Sequence, residues 1–131
     1  MNEHDVKRWF TEYLDTFAAC GRGERESTAL LGYYALPILF TTDGGFNAVT
    51  TEAQLLAVGK QQIDGMHAAQ YHHSNVLDSG VTILNASSAL YRGTFARVRA
   101  DGSEIGRLAV SYLITDGAVG RRISALMVHH S

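Results

Sequence analysis

The order of the patterned segments constrains this chain most. Helix-like stretches come first, one short hairpin interrupts them, and from Tyr71 onward nearly everything reads as long, apolar-rich strands joined by turn dipeptides. Elements that each bury one face must cover one another, and helices gathered ahead of strands do so as α+β. The expected architecture is three N-terminal helices packed in the concave face of a curved, mostly antiparallel sheet. Such a sheet encloses a pocket.

The first helix is written by Val6, Trp9, Phe10, Tyr13, Leu14 and Phe17, which recur at three- and four-residue spacing and share one face. Asn2 is placed to cap its start, and Gly21 to end it in the left-handed conformation. A second, shorter helix is expected over 24–32, with Ala29, Leu30 and Leu31 inward. Pro37 to Thr41 and Phe46 to Val49 flank Asp43-Gly44-Gly45 as a small hairpin. Thr51 and Gln54 form a capping box, which opens a third helix over 52–67. Gly59 lies in the apolar stripe of that helix and predicts close packing against another element.

The remainder reads as sheet. Tyr71 to Leu77 alternates, Asp78-Ser79-Gly80 marks a bulge or bend, and Val81 to Leu84 continues the strand. Asp101-Gly102 and Asp116-Gly117 are hairpin signals on either side of a strand over 104–115, and Val119 to His130 is the last strand. Both faces of the late strands are apolar. Leu108, Val110, Tyr112 and Ile114 oppose Ile105, Ala109 and Leu113, while Ile123, Ala125 and Met127 oppose Leu126 and Val128. Doubly apolar strands need two covers, and three modest helices supply one. A second copy of the chain is the expected cover, giving a homodimer through the sheet face.

At 131 residues the chain is expected to be a single domain, 1–131, with core enough to fold without staples. A net charge of −2 carries no footprint for nucleic acid. Arg97, Arg99, Arg107, Arg121 and Arg122 are the densest basic group, but Asp101, Glu104 and Asp116 are interspersed, which reads as a solvated rim. The single Cys20 excludes an intramolecular disulfide. Without a leader pattern or a run of about 20 apolar residues, a cytoplasmic protein with no membrane partner is expected.

Three stretches carry a family resemblance. Residues 9–22, WFTEYLDTFAACGR, resemble the opening aromatic helix of the SnoaL-like and nuclear transport factor two-like superfamily, which ends at a glycine. Residues 88–95, SALYRGTF, look like its central strand, and residues 120–131, GRRISALMVHHS, are similar to the closing strand of members ending in a histidine-serine pair. The resemblance implies a cone-shaped α+β barrel whose helices close a hydrophobic cavity, often in dimers. It implies no single activity: members include ketosteroid isomerases, limonene epoxide hydrolases, scytalone dehydratases, polyketide cyclases, and domains that only bind or assemble.

In isomerase-like members a carboxylate base on the first strand works with an acidic donor on a later one. Aligning the patterns puts these near Thr41 and near Val110 or Ser111, and neither place holds a carboxylate. The acids of this chain fall on helix starts, polar helix faces, turns and the bend at Asp78, whereas a carboxyl base needs an apolar site to raise its pKa. Histidines remain as proton-transfer candidates. His72 and His73 are strand neighbours with opposite faces, as are His129 and His130; His73 is placed on the face of Tyr71, Asn75 and Leu77. Its competing reading is a hydrogen-bonded pocket or interface side chain. His67 reads equally well as a partner of its helix dipole. His67, His72 and His73 lack metal-ligand spacing, and no cavity carboxylate completes a set, so no metal and no cofactor are expected. Cys20 reads as an inert small residue.

The cavity is expected to be lined by Trp9, Tyr13, Phe17, Tyr34, Met66, His73, Asn75, Tyr91 and Phe95, with the polar groups among them orienting a hydrophobic or aromatic ligand. Three functions follow: a small-molecule-binding protein; a lyase or isomerase with His73 as base and Tyr13 or Tyr34 as donor; or a dimerisation and assembly module.

Overall fold

The computed structural model describes residues 1–129; His130 and Ser131, part of the expected last strand and of the closing resemblance, lie outside them. Helix α1 spans Glu3–Gly21, and the amide of Asp5 donates to Asn2 Oδ1 at 2.9 Å, the expected cap. Its C-terminus differs from expectation. Gly21 is still helical, and the left-handed residue is Gly23, at φ 79°. Glu24 N donates to Ala19 O and Gly23 N to Cys20 O, the paired bonds of a Schellman motif. Gly21 is needed for another reason: a Cβ there would lie 2.5 Å from the Tyr71 ring.

The expected second α-helix is instead a 3₁₀ segment, Ser27–Tyr33, with no side-chain cap and only Leu30 buried. The Schellman turn consumes residues 22–24, and what remains is too short to nucleate an α-helix. Strands β1 (Tyr34–Thr42) and β2 (Gly45–Val49) form the hairpin. Helix α2 (Glu52–Ala68) starts with the full capping box of Thr51 and Gln54. Gly59 corrects the expectation attached to it, because a Cβ there would meet nothing within 4 Å. That stretch of α2 faces open space.

Strands β3 (Tyr71–Asn85), β4 (Ser88–Arg99), β5 (Glu104–Gly117) and β6 (Gly120–His129) complete one curved, open sheet in the order β2-β1-β6-β5-β4-β3. Neighbours are antiparallel except β1 and β6, which run parallel. The cis bond before Pro37 falls where the β1–β6 ladder is interrupted, so the missing N–H breaks no pairing.

Extra residues set which side chains look inward. In β3, Tyr71 pairs with Arg99 but His73 pairs with Val98, so His72 is an inserted residue; Leu77 is inserted one turn of the ladder later. In β6, Ala125 pairs with Leu113 and Ile123 with Ile114, which makes Ser124 the insertion. Each bulge switches the alternation. Ile123 therefore joins Leu126 and Val128 on the inner face, rather than Ala125 and Met127 as strict alternation predicts.

The core lies between α1 and the inner face. Val6, Phe10, Tyr13 and Phe17 point into it, and the Phe10 ring stacks on Tyr91 with centroids 3.7 Å apart and meets Tyr112 edge-on at 4.7 Å. On the outer face Ala96, Ser111 and Ala125 are buried between larger strand neighbours, while Leu90, Leu113 and Met127 are half-buried. Among the described residues, no helix is long and apolar enough to cross a membrane.

Candidate functional site

Between α1, α2 and the inner face lies a hollow of about 170 Å³. Helix α1 contributes Tyr13, Leu14 and Phe17, and α2 contributes Leu55, Val58, Gly59 and Gln62. From the sheet come Tyr34 and Phe40 of β1, Ser74 of β3, Phe95 and Arg97 of β4, Leu108, Val110 and Tyr112 of β5, and Leu126 and Val128 of β6. The hollow exists because α2 presents a glycine where a larger residue would fill the gap. Its other boundary is set by Phe95. A Cβ on Gly93 would collide with Cζ of Phe95, so the ring folds back over the bare glycine two residues before it.

The polar groups in this wall are few. Tyr13 and Tyr34 share a hydrogen bond of 2.7 Å between their hydroxyls. Burial, chiefly, pushes the Tyr34 phenol up to about 12 and holds the phenols of Tyr13 and Tyr112 well above their ordinary value of 10. These groups are neutral donors at pH 7. Ser74 is occupied by the Tyr71 hydroxyl at 2.9 Å.

Among the described residues, Arg97 is the one charged side chain of the lining. Its guanidinium carbon sits 5.8 Å from the centroid of the Phe17 ring, within the range of a cation–π contact. Its positive charge lowers the phenol pKa values of Tyr13, Tyr34 and Tyr112, though burial outweighs it at each. The paired arginines are Arg8, Arg22, Arg107 and Arg121. Among the described residues, the Arg97 side chain has neither an ion pair nor a hydrogen bond.

Of the residues expected in the cavity, Tyr13, Phe17, Tyr34 and Phe95 come together in this wall, and the other five do not. Trp9 packs outside it, 5.5 Å from the ring of Tyr33. Met66 is buried beside Gly21, and Tyr91 is covered by Phe10. His73 and Asn75 are corrected outright. The insertion at His72 turns them to the outer face opposite Val98 and Ala96, and leaves Ser74 facing inward opposite Arg97. There His73 Nε2 lies 3.1 Å from Asn75 Oδ1, and its Nδ1 lies 2.8 Å from that of His72. The expected His73–Tyr13 pair is thus divided by the sheet.

Arg97 is the residue missed. Charge patterning places it in a solvated rim, yet it follows Tyr91, Gly93 and Phe95 at period two, so strand alternation alone turns it inward. Near the aligned catalytic positions, Phe40 and Val110 line the hollow, while Ser111 faces outward and meets His129 Nε2 at 2.6 Å. The lining, among the described residues, holds no aspartate, glutamate or histidine. Among the described residues, no three histidine, cysteine, aspartate or glutamate side chains converge as a metal site would need. His67 Nδ1 lies 3.3 Å from Gly21 O, tying the ends of α1 and α2 together. The Cys20 thiol is pushed up by burial and donates to Glu26 O, which keeps it from acting as a thiolate.

A family model described as NTF2-like protein (DUF6841) matches residues 2–131. No curated protein matches the chain. Similar solved structures include an NTF2-like protein with a cystatin-like fold from Novosphingobium aromaticivorans, at TM-score 0.71 and 14% identity, covering 95% of this chain and 79% of that one. An NTF-2 like protein of unknown function from Shewanella oneidensis MR-1 superposes at 0.67 with 15% identity, covering 91% and 94%. A second N. aromaticivorans protein, provisionally named an aromatic ring hydroxylase, superposes at 0.68 with 12% identity, covering 99% and 92%. At these identities the likeness is one of fold.

Proposed function

Because the chain belongs to the NTF2-like protein family (DUF6841), whose helices and curved sheet enclose a hollow in this structure, we propose that it is a small-molecule-binding protein taking a small apolar or aromatic ligand. The observation that carries this reading is the hollow itself, open at Gly59 and walled by Phe17, Phe40, Phe95, Leu108 and Leu126. Its volume of about 170 Å³ suits a single-ring molecule, since an apolar cavity of about 150 Å³ takes benzene.

Binding is favoured over proton-transfer chemistry by what the wall contains. His73 lies across the sheet, and the phenols, held protonated by burial, donate protons rather than accept them. The test is a titration of isotopically labelled protein with nitrobenzene, followed by amide chemical shifts. Saturable shifts at Gly59, Val58 and Leu126 are expected, with none at His73. Shifts absent from those positions, or scattered over the surface, would overturn the reading. The protein is also proposed to work as a homodimer joined through the outer sheet face, where Leu90, Leu113 and Met127 remain half-exposed in a single chain. A monomeric sedimentation coefficient at micromolar concentration refutes that part.

A further inference from the structure

Apart from the Gln62 amide, which can accept as well as donate, the polar groups of the hollow lean towards donation. A guanidinium offers five N–H donors and no acceptor. A pair of hydroxyls sharing one hydrogen bond, as Tyr13 and Tyr34 do at 2.7 Å, spends one proton between them and leaves the other to give. The Tyr112 hydroxyl, in the same wall, forms no hydrogen bond with any described residue. Donors thus converge on a space whose described walls carry no carboxylate. Arg97 is half-buried, and among the described residues its guanidinium meets the Phe17 ring but no hydrogen-bond or ion-pair partner, so its donors are available to an anion. The guanidinium carbon lies 5.8 Å from that ring's centroid, and the N–H edge of an arginine can form two parallel bonds to a planar carboxylate.

We infer that the ligand of this pocket is a single-ring aromatic carboxylate, its carboxylate held edge-on by Arg97 with a phenol of the Tyr13–Tyr34 pair or Tyr112, and its ring lying between Phe95, Leu108 and the open position at Gly59. The inference rests on the small-molecule reading above and gives it a ligand class. Size and charge point the same way. A hollow of about 170 Å³ has room for a ring and a small head, and the head must be an acceptor carrying negative charge. A neutral ring of equal shape would leave the Arg97 donors to water.

The experiment compares benzoate with nitrobenzene, a neutral probe of nearly the same shape, by isothermal titration and amide shifts on the full chain. Wild-type protein is expected to bind benzoate at least tenfold more tightly. Arg97→Gln is expected to weaken benzoate at least tenfold and bring the two probes within about threefold of each other, and Arg97→Lys, a point charge without the fork, to fall between. Raising salt should weaken benzoate and leave nitrobenzene unmoved. Equal affinity of the two probes for the wild type overturns the inference without any variant, and so guards against an Arg97→Gln protein that fails to fold. Unchanged benzoate affinity in a folded Arg97→Gln protein overturns it equally. In both cases nitrobenzene binding at Gly59 would leave the broader reading standing. If neither probe binds, both fall together.

Discussion

The two α-helices border the same hollow and are built in opposite ways. Helix α1 buries eight residues, among them Val6, Phe10, Tyr13 and Phe17, and its aromatic rings interlock with those of β4 and β5. Helix α2 buries only Leu55, Ile63 and Met66, carries glycine at 59 and 65 with open space beyond each, and leaves Val58 37% exposed. The difference separates two jobs. One helix is the core and fixes the sheet's curvature, and the other is a thin wall that leaves room for a guest. A second helix packed like α1 would fill the space that a ligand needs.

The comparison breaks most easily at Phe10. It is 1% exposed, stacked on Tyr91 and edge-on to Tyr112, so Phe10→Ala is expected to cost about 3–5 kcal/mol of unfolding free energy, as large buried aromatics do. Val58→Ala, on the thin wall, should cost less than about 0.5 kcal/mol. Urea denaturation of the two variants measures both. Comparable losses would mean that α2 is as much a part of the core as α1.

Gly93→Ala tests the floor that the two helices share. The new methyl must displace the Phe95 ring from a packed position, and overpacking of this kind costs about 1–3 kcal/mol. Nitrobenzene affinity should change along with stability, because Phe95 lines the hollow. A loss of stability alone would show that the ring relaxes away from the ligand.

A pH titration sharpens the contrast from the side of α1. Burial raises the folded phenols of Tyr13 and Tyr34 above the ordinary value of 10, Tyr34 to about 12. Below pH 10 both states keep these protons and no stability is lost. As pH rises from 10 towards about 12 the unfolded chain releases them first, so stability falls across that window. Tyr34→Phe should flatten the decline. A decline unchanged in that variant would place its cause elsewhere.

Much of this was legible in the sequence, and the misses share one cause. Helix α1, the hairpin, the capping box at Thr51 and the order of the strands follow from periodicity and turn chemistry, because those signals are local. The inward positions of Tyr13, Phe17, Tyr34 and Phe95 follow from the same patterns. Strict alternation puts His73, Asn75 and Ile123 on the wrong faces because a single inserted residue, His72 or Ser124, reverses the side chains beyond it as far as the next insertion, and no composition marks those insertions. Arg97 was lost differently. Charge patterning follows the chain, where acids neighbour Arg97, whereas its environment is set by the residues sharing its face of β4, Tyr91 and Phe95.

One small expected effect has the opposite sign from the rest and bears most directly on the division between the helices. A methyl at Gly59 would meet nothing, and glycine within a helix costs about 1 kcal/mol relative to alanine. Gly59→Ala is therefore expected to stabilise the protein by about 0.5–1 kcal/mol in urea denaturation, and Gly59→Leu to retain stability while abolishing nitrobenzene binding by occupying the hollow. Gly65→Ala, equally unobstructed but away from the lining, should stabilise to a similar degree and leave binding intact. If Gly59→Ala destabilises instead, α2 is packed more tightly than a thin wall should be, and the space assigned to a ligand belongs to the protein itself.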